Sequence, residues 1–200
     1  ALYVSPRLPE PNDPRWTEAF TAEVLRLLTL TNGRAFVLFT SLRHMHQVHE
    51  RVAPQLQVQV LKQGDLGRNE LLARFVAEPS VLFASQSFWE GVDVPGDALS
   101  LVIIDKLPFA PPNDPLQAAR MEAVSARGGN AFNEYQVPQA ALSLRQGFGR
   151  LIRTATDRGI VALGDTRLIT KRYGQTFLES LPRARRFTEF AQVEAWWRST

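Results

Sequence analysis

The 200-residue chain contains no cysteine and no long uninterrupted apolar segment. The lack of cysteine excludes disulfide bonds, thiolate metal sites and cysteine nucleophiles from these residues. The apolar runs are far shorter than the roughly 18 residues that a membrane helix requires. A chain without cysteine is compatible with a reducing compartment, and we expect a cytoplasmic protein.

Motifs that bind nucleotides on their own are also missing. The Gly-Phe-Gly at 147–149 lacks the third glycine of a dinucleotide fingerprint and does not follow a strand pattern. The stretch GDLGRNE at 64–70 lacks the Gly-Lys-Ser/Thr of a P-loop. A dinucleotide-dependent oxidoreductase is therefore disfavoured.

A histidine group in the first quarter of the chain has poor metal-ligand spacing. His46 and His49 can share a helix face, but His44 cannot join them and no carboxylate stands at a matching position. We therefore expect no metal site in these residues.

The composition is that of an ordinary folded domain with a mild positive charge. Hydrophobic residues make up 44% of the chain, which is enough for one well-formed core. The formal net charge is +3, and no long basic run is present. This balance permits contact with phosphates without demanding it.

Short apolar, β-branched runs alternate with segments of helical periodicity. The runs at 34–39, 58–62, 80–85, 100–105 and 159–165 predict strands buried on both faces. Apolar spacing of three and four predicts helices over 16–30, 41–53, 67–78, 115–126 and 138–153. The alternation predicts an α/β fold with a mostly parallel sheet and helices on both faces. Ligand sites in such sheets lie at the carboxyl ends of the strands.

The two ends of the chain differ from its middle. The opening ALYVSPRLPEP resembles the end of a strand entering a Pro-rich segment, so we expect the chain to begin within a domain of a longer protein. We assign 1–184 to the α/β domain and 185–200 to a C-terminal amphipathic helix. Phe187, Phe190, Ala191 and Trp197 would lie near one face of that helix, which either packs on the domain or docks on another protein.

The segment QGFGRLIRT at 146–154 continues a helical pattern through two glycines. At about 100° per residue, Gln146, Gly149, Arg150 and Arg153 fall on one stripe of the helix. Arginine offers planar, permanently charged donors that suit phosphate oxygens, and a glycine between them permits close approach. A solvated basic helix face with local ion pairs is the competing interpretation.

The segment SFWEGVDVPGD at 87–97 directly follows a strand pattern. Gly91 gives a backbone that a ligand can approach closely. Glu90 and Asp93 offer carboxylates for a ribose or for water bound to a metal ion. A turn that Asp93 caps locally is the alternative.

The letters FTS at 39–41 close a strand and open a helix. Thr40 and Ser41, with free helical amides behind them, are phosphate-binding candidates. Ser41 as a plain helix N-cap is the competing interpretation.

RAFVLFTS, SFWEGVDVPGD and QGFGRLIRT together resemble motifs IV, V and VI of superfamily 2 helicases, in order and at suitable separations. Trp-Glu-Gly-Val-Asp followed by LVIIDKLPFAPPNDP resembles the XPD/DinG-like branch, and within it the bacterial DinG/YoaA type. The resemblance covers nearly the whole chain up to about Leu181. It implies the second RecA-like motor domain of an ATP-dependent DNA helicase of repair or replication.

The resemblance also implies roles around a nucleotide bound between two motor domains. Arg150 and Arg153 would face the γ-phosphate, with Arg153 as the arginine finger, and Gln146 would position phosphate or water. Gly91 and Asp93 would meet the ribose or the water network around the metal. Gly149 would lie beside the nucleotide.

Further implied contacts concern DNA and the other parts of the enzyme. Glu90 would couple the nucleotide network to DNA, and Thr40, Ser41 and Ser87 would contact the single-strand backbone. ATP and Mg²⁺ would be held mainly by the N-terminal motor domain of the same protein, which would also carry a 4Fe-4S cluster. Similar enzymes move 5′ to 3′ on single-stranded or forked DNA. Those resembling YoaA associate with a clamp-loader accessory subunit of the replisome.

The second candidate function is a protein-interaction module. It would dock a replisome subunit through residues 185–200. A pull-down with and without that segment separates the two functions.

Overall fold

Strands and helices alternate along the chain in the computed structural model, which describes residues 1–85, 88, 94, 98–110, 114–149 and 158–199. The strands are β1 Leu2–Val4, β2 Ala35–Phe39, β3 Gln59–Lys62, β4 Ser80–Ser85, β5 Leu101–Ile104, β6 Ile160–Leu163 and β7 Arg186–Phe187. The helices are α1 Trp16–Thr31, α2 Leu42–Val52, α3 Arg68–Ala77, α4 Pro115–Ala126, α5 Val137–Phe148, α6 Arg167–Thr170, α7 Gly174–Ser180 and α8 Phe190–Arg198. A 3₁₀ turn, Ala53–Gln55, extends α2, and a π-helical turn, Phe132–Gln136, precedes α5.

The strands of this described part form one sheet in the order β3-β4-β2-β5-β6-β1-β7, and every neighbouring pair is parallel. The five predicted strands and the strand at the start of the chain are confirmed, each within about two residues. Runs such as AFVLF and IVAL form strands because every residue in them is buried, as a sheet covered on both faces requires.

Helices cover both faces of the sheet, as predicted. Phe36 and Leu38 of β2 face a core that α3, α5, α6 and α7 complete. Val37 and Phe39, the alternate residues of the same strand, face a second core under α1, α2 and α8. The period-two alternation of a strand thus divides the apolar residues between two layers.

The C-terminal segment differs from the helix expected over 185–200. Residues 186–187 form strand β7, which pairs with β1 at the edge of the sheet, and α8 begins at Phe190. Phe187 therefore lies on a strand and not on the helix face predicted for it. Pairing with β1 satisfies backbone groups at the sheet edge, for example through the Leu2 amide that donates to the Arg185 carbonyl at 2.8 Å, and this stabilises extended backbone there.

No helix in the described ranges combines the length and the apolar character that a membrane crossing requires.

Candidate nucleotide and DNA interface

Polar residues follow the strands at the carboxyl edge of the sheet. Thr40 and Ser41 come after β2, Asp105 and Lys106 after β5, and Asp165 after β6. The strands β2, β5 and β6 are consecutive neighbours in the sheet, so these side chains share one edge. This is the edge at which open parallel sheets bind their ligands.

A buried carboxylate joins the ends of β2 and β5. Asp105 has no exposed surface, and one of its oxygens accepts from the Thr40 amide at 2.9 Å and the Lys106 amide at 2.7 Å. Its second oxygen accepts from the Thr40 hydroxyl at 3.1 Å. Burial raises the pKa of Asp105 to about 7, although these hydrogen bonds and the Lys106 charge oppose the rise.

The hydrogen bonds to Asp105 give the Thr40 and Ser41 side chains different roles. Thr40 is an exposed residue, but its hydroxyl donates its hydrogen to Asp105, so this hydroxyl can only accept a hydrogen bond from a ligand. Ser41 occupies the N-cap position of α2 with extended backbone, φ −140°, and its side chain makes no cap hydrogen bond. The first amides of α2 therefore receive no cap from the Ser41 side chain.

A second buried carboxylate stands at the end of β6. Asp165 is fully buried and accepts two bonds from the Arg167 guanidinium, at 2.9 and 2.6 Å. It also accepts from the Leu107 amide at 2.9 Å. The Leu107 hydrogen bond ties the segment after β5 to the start of α6. The hydrogen bond to Asp165 raises the pKa of Arg167.

Helix α5 and its C-cap contain two residues of the predicted stripe, Gln146 and Gly149. Gln146 and Gly149 are exposed, whereas Leu144 and Phe148 lie in the core. The expected helix over 138–153 is described as far as Phe148, with Gly149 as its C-cap. The exposed amide and glycine are therefore on one side and the apolar residues on the other, as the periodicity predicts.

The remaining predicted site residues lie outside the described residues. These are Arg150 and Arg153 of the basic stripe, and Ser87, Glu90, Gly91 and Asp93 of the segment after β4. Two residues of that segment are described: Phe88 and Val94 are 4% and 3% exposed and belong to the core below α3 and α5.

The histidines contact other groups individually. The His44 Nδ1 is 3.1 Å from the Lys106 ammonium, and His49 packs edge-on against Phe83 with ring centroids 5.2 Å apart. Within the described ranges, no group of three or more His, Cys, Asp or Glu side chains could hold a metal ion.

Sequence reasoning missed four residues of this edge: Asp105, Lys106, Asp165 and Arg167. A signal for them was available, because VIID and ALGD each place an acidic residue directly after a buried run. An acidic residue at the carboxyl end of a parallel strand points to the ligand-bearing edge.

Known proteins are similar to this chain in sequence. The family model for the helicase C-terminal domain matches residues 24–184. The ATP-dependent DNA helicase YoaA of Escherichia coli is 47% identical over 193 residues, which are 96% of this chain and 30% of that protein. The ATP-dependent helicase DinG of Mycobacterium tuberculosis is 44% identical over 196 residues, which are 97% of this chain and 30% of that protein.

A solved XPD helicase is similar in fold. It has a TM-score of 0.73 at 19% identity and covers 94% of this chain and 35% of its own. The chain spans about 30% of the length of the two curated relatives. Since the family model covers most of the chain and both relatives align with almost all of it, the chain belongs to the helicase C-terminal domain family, in the form found in YoaA and DinG.

Proposed function

We propose that the chain is the second motor domain of an ATP-dependent DNA helicase. Two relatives that align with almost the whole chain at 44–47% identity are named ATP-dependent helicases, and this is the observation that carries the proposal. In the proposed enzyme, ATP binds between this domain and an N-terminal motor domain, and hydrolysis drives movement along DNA.

The nucleotide-facing group of the proposal is the stripe that starts on α5. Gln146 and Gly149 are exposed, and Phe148 anchors the helix with no exposed surface. A helix fixed in this way holds donors in place before the transition state forms, which favours electrostatic catalysis. Arg150 would bind the γ-phosphate, Arg153 would act as the arginine finger, and Gln146 would orient phosphate or water.

The motif V segment, which follows β4, would supply the rest of the nucleotide contacts. Gly91 and Asp93 would lie by the ribose and the water around the metal, and Glu90 would link them to DNA. Mg²⁺ neutralises the charge that develops on the phosphates, and we assign its ligands and the 4Fe-4S cluster to the N-terminal motor domain.

The DNA-facing group of the proposal is the edge formed by Thr40, Ser41 and Ser87. The amides at the start of α2, which Ser41 does not cap, and the Ser41 hydroxyl suit a phosphate of the DNA backbone. Single-stranded DNA would cross this edge, with 5′ to 3′ movement carried over from the XPD/DinG resemblance.

The substitution Arg153→Ala tests the proposed catalytic role in a protein that joins this chain to its N-terminal motor domain. ATP turnover should fall by about 10³–10⁵-fold, because an arginine finger stabilises the transition state by that factor. Affinities for ATP and single-stranded DNA should stay within a few-fold. Steady-state phosphate release and equilibrium binding measure the two quantities.

Arg145→Ala is the matched control, since Arg145 is an exposed arginine of α5 that does not belong to the proposed stripe. It should leave turnover near the unsubstituted value. Weakened binding with normal turnover at saturating ATP in Arg153→Ala would assign Arg153 to structure and contradict the proposal.

Docking of a clamp-loader accessory subunit through residues 185–200 is the second candidate. The apolar side of α8 packs on the domain, and Val193 has no exposed surface, which favours the motor role for the chain as a whole. A pull-down of the accessory subunit by the chain with and without residues 185–200 tests the docking function. Equal retention of the subunit by the two chains would contradict docking through this segment.

A further inference from the structure

Lysine is scarce in this chain, and one of the three lysines has an unusual setting. Lys62 pairs with Asp65 at 3.3 Å, and Lys171 pairs with Glu10 at 2.7 Å. The Lys106 ammonium has no carboxylate within 4.0 Å among the described residues, and its polar neighbour is the His44 imidazole at 3.1 Å. Lys106 therefore carries a charge that no close anion of the described part balances.

The Lys106 side chain is held in place by rigid neighbours. Its ammonium lies 4.5 Å from the centre of the Trp16 ring. Trp16 is 1% exposed, donates its indole N–H to the Gly164 carbonyl at 2.8 Å and stacks on Phe20. Gly164 permits this close packing, because a Cβ there would lie 2.6 Å from the Asp105 carbonyl oxygen. The ammonium thus has a defined position at the strand ends.

Among the described residues, hydrogen-bond partners engage only one donor of this ammonium. Burial and the positive charges of Lys106 and Arg43 lower the pKa of His44, so a neutral ring can accept one ammonium hydrogen through Nδ1. Lysine has three such hydrogens. The two nearby carboxylates are already occupied, since Asp105 accepts from backbone amides and Asp165 accepts from Arg167.

The surroundings of Lys106 favour an anion with several oxygens. Burial lowers the pKa of Lys106, and the nearby Asp105 and Asp165 charges offset this only in part. The backbone amides of Lys106 and Thr40 share one Asp105 oxygen, so Lys106 stands beside Thr40 and Ser41. His44 belongs to the first turn of α2, whose amide dipoles add positive potential.

We propose that Lys106 binds a phosphodiester group of the single DNA strand, beside Ser41 and the start of α2. This inference rests on the proposed helicase function. Trp16 and His44 act as positioning residues that hold the Lys106 ammonium toward the DNA strand.

Chemical footprinting tests the inference on the unsubstituted chain. The chain is treated with N-hydroxysuccinimidyl acetate with and without an oligo-dT strand at a concentration that saturates binding by fluorescence anisotropy. Acetylation of each lysine is measured by mass spectrometry. Oligo-dT should slow acetylation of Lys106 several-fold and leave Lys62 and Lys171 unchanged.

The outcomes separate this inference from the proposed function. Absence of any oligo-dT binding would contradict the DNA role itself and this site with it. Binding without protection of Lys106 would overturn the site alone. Protection by ATP but not by oligo-dT would also overturn it, because the anion would then be a nucleotide.

Substitutions give an independent measure. Lys106→Met should weaken oligo-dT binding about tenfold and reduce the slope of log affinity against log salt by about 0.7, the value of one phosphate contact on a single strand. Lys106→Arg should keep the slope, and Lys171→Met is the control of equal charge change. A lower melting temperature of Lys106→Met with an unchanged salt slope would show that Lys106 only supports the fold.

Discussion

At the scale of single residues, the Asp105 carboxylate influences both stability and the ligand edge. Its pKa lies near 7 in the folded chain, against an ordinary value of 3.8. The folded state therefore binds a proton that the unfolded state has lost between these two values. The contribution of Asp105 to the unfolding free energy is fully present below about pH 4 and falls as the pH rises toward 7. Above pH 7 the contribution no longer changes.

Asp105→Asn should remove this pH dependence. The amide oxygen can still accept from the Thr40 and Lys106 amides, and its NH₂ group can donate to the Thr40 hydroxyl. Between pH 4.5 and pH 8 the unfolding free energy of Asp105→Asn should rise relative to that of the unsubstituted chain. Urea denaturation at a series of pH values measures this difference.

The control for that series is Asp65→Asn, which alters an exposed aspartate paired with Lys62. Its difference from the unsubstituted chain should vary little over the same range. Parallel pH profiles for Asp105→Asn and the unsubstituted chain would contradict the assignment of a raised pKa to Asp105.

At the scale of elements, the C-terminal helix α8 belongs to the core under α1 and α2. The ring centres of Phe190 and of Tyr3 in β1 are 6.3 Å apart. The Arg26 guanidinium of α1 lies 3.9 Å from the centre of the Phe190 ring. The Arg158 guanidinium donates to the carbonyl oxygens of Trp196 and Trp197, near the carboxyl end of α8. A cation at that position satisfies carbonyl groups which the helix leaves unpaired.

Val193→Ala should lower the unfolding free energy by about 2 kcal/mol, because it deletes fully buried methyl groups and leaves a cavity. Gln192→Ala, at an exposed position of the same helix, should change it by less than about 0.5 kcal/mol. Urea denaturation measures both variants. Equal effects of the two substitutions would show that α8 does not contribute to the core in solution.

At the scale of the whole molecule, the proposed function gives this chain only part of a nucleotide site. Its 200 residues include no Gly-x-x-x-x-Gly-Lys-Ser/Thr sequence to hold the ATP phosphates. The chain spans about 30% of the two relatives. In the proposed enzyme the nucleotide needs donors from two motor domains, and one domain lacks the geometry for transition-state stabilisation.

The purified chain should therefore hydrolyse no ATP above background, with or without single-stranded DNA. Phosphate release measures this, and a chain joined to the N-terminal motor domain serves as the positive control. DNA-stimulated turnover by the 200 residues alone would overturn the division of labour between the two domains.

The sequence predicts the central strands well because each is a continuous apolar run. It misses β7 because Arg186 and Phe187 carry no strand pattern of their own, and their pairing depends on Leu2 and Tyr3 at the other end of the chain. It likewise misses the role of Asp105, whose partner Thr40 is 65 positions away. Periodicity reports burial within one element, whereas these features depend on contacts between distant elements.

The position of β1 between β6 and β7 also means that β1 cannot pair until much later in protein synthesis. Leu2 pairs with Val161 and Arg186, so the first strand is made long before either neighbour exists. At about 5–20 residues per second, a ribosome needs roughly 8–32 s to extend the chain from one to the other. During that interval Tyr3 and Val4 lack both of their sheet neighbours, and we expect chaperones to shield this strand.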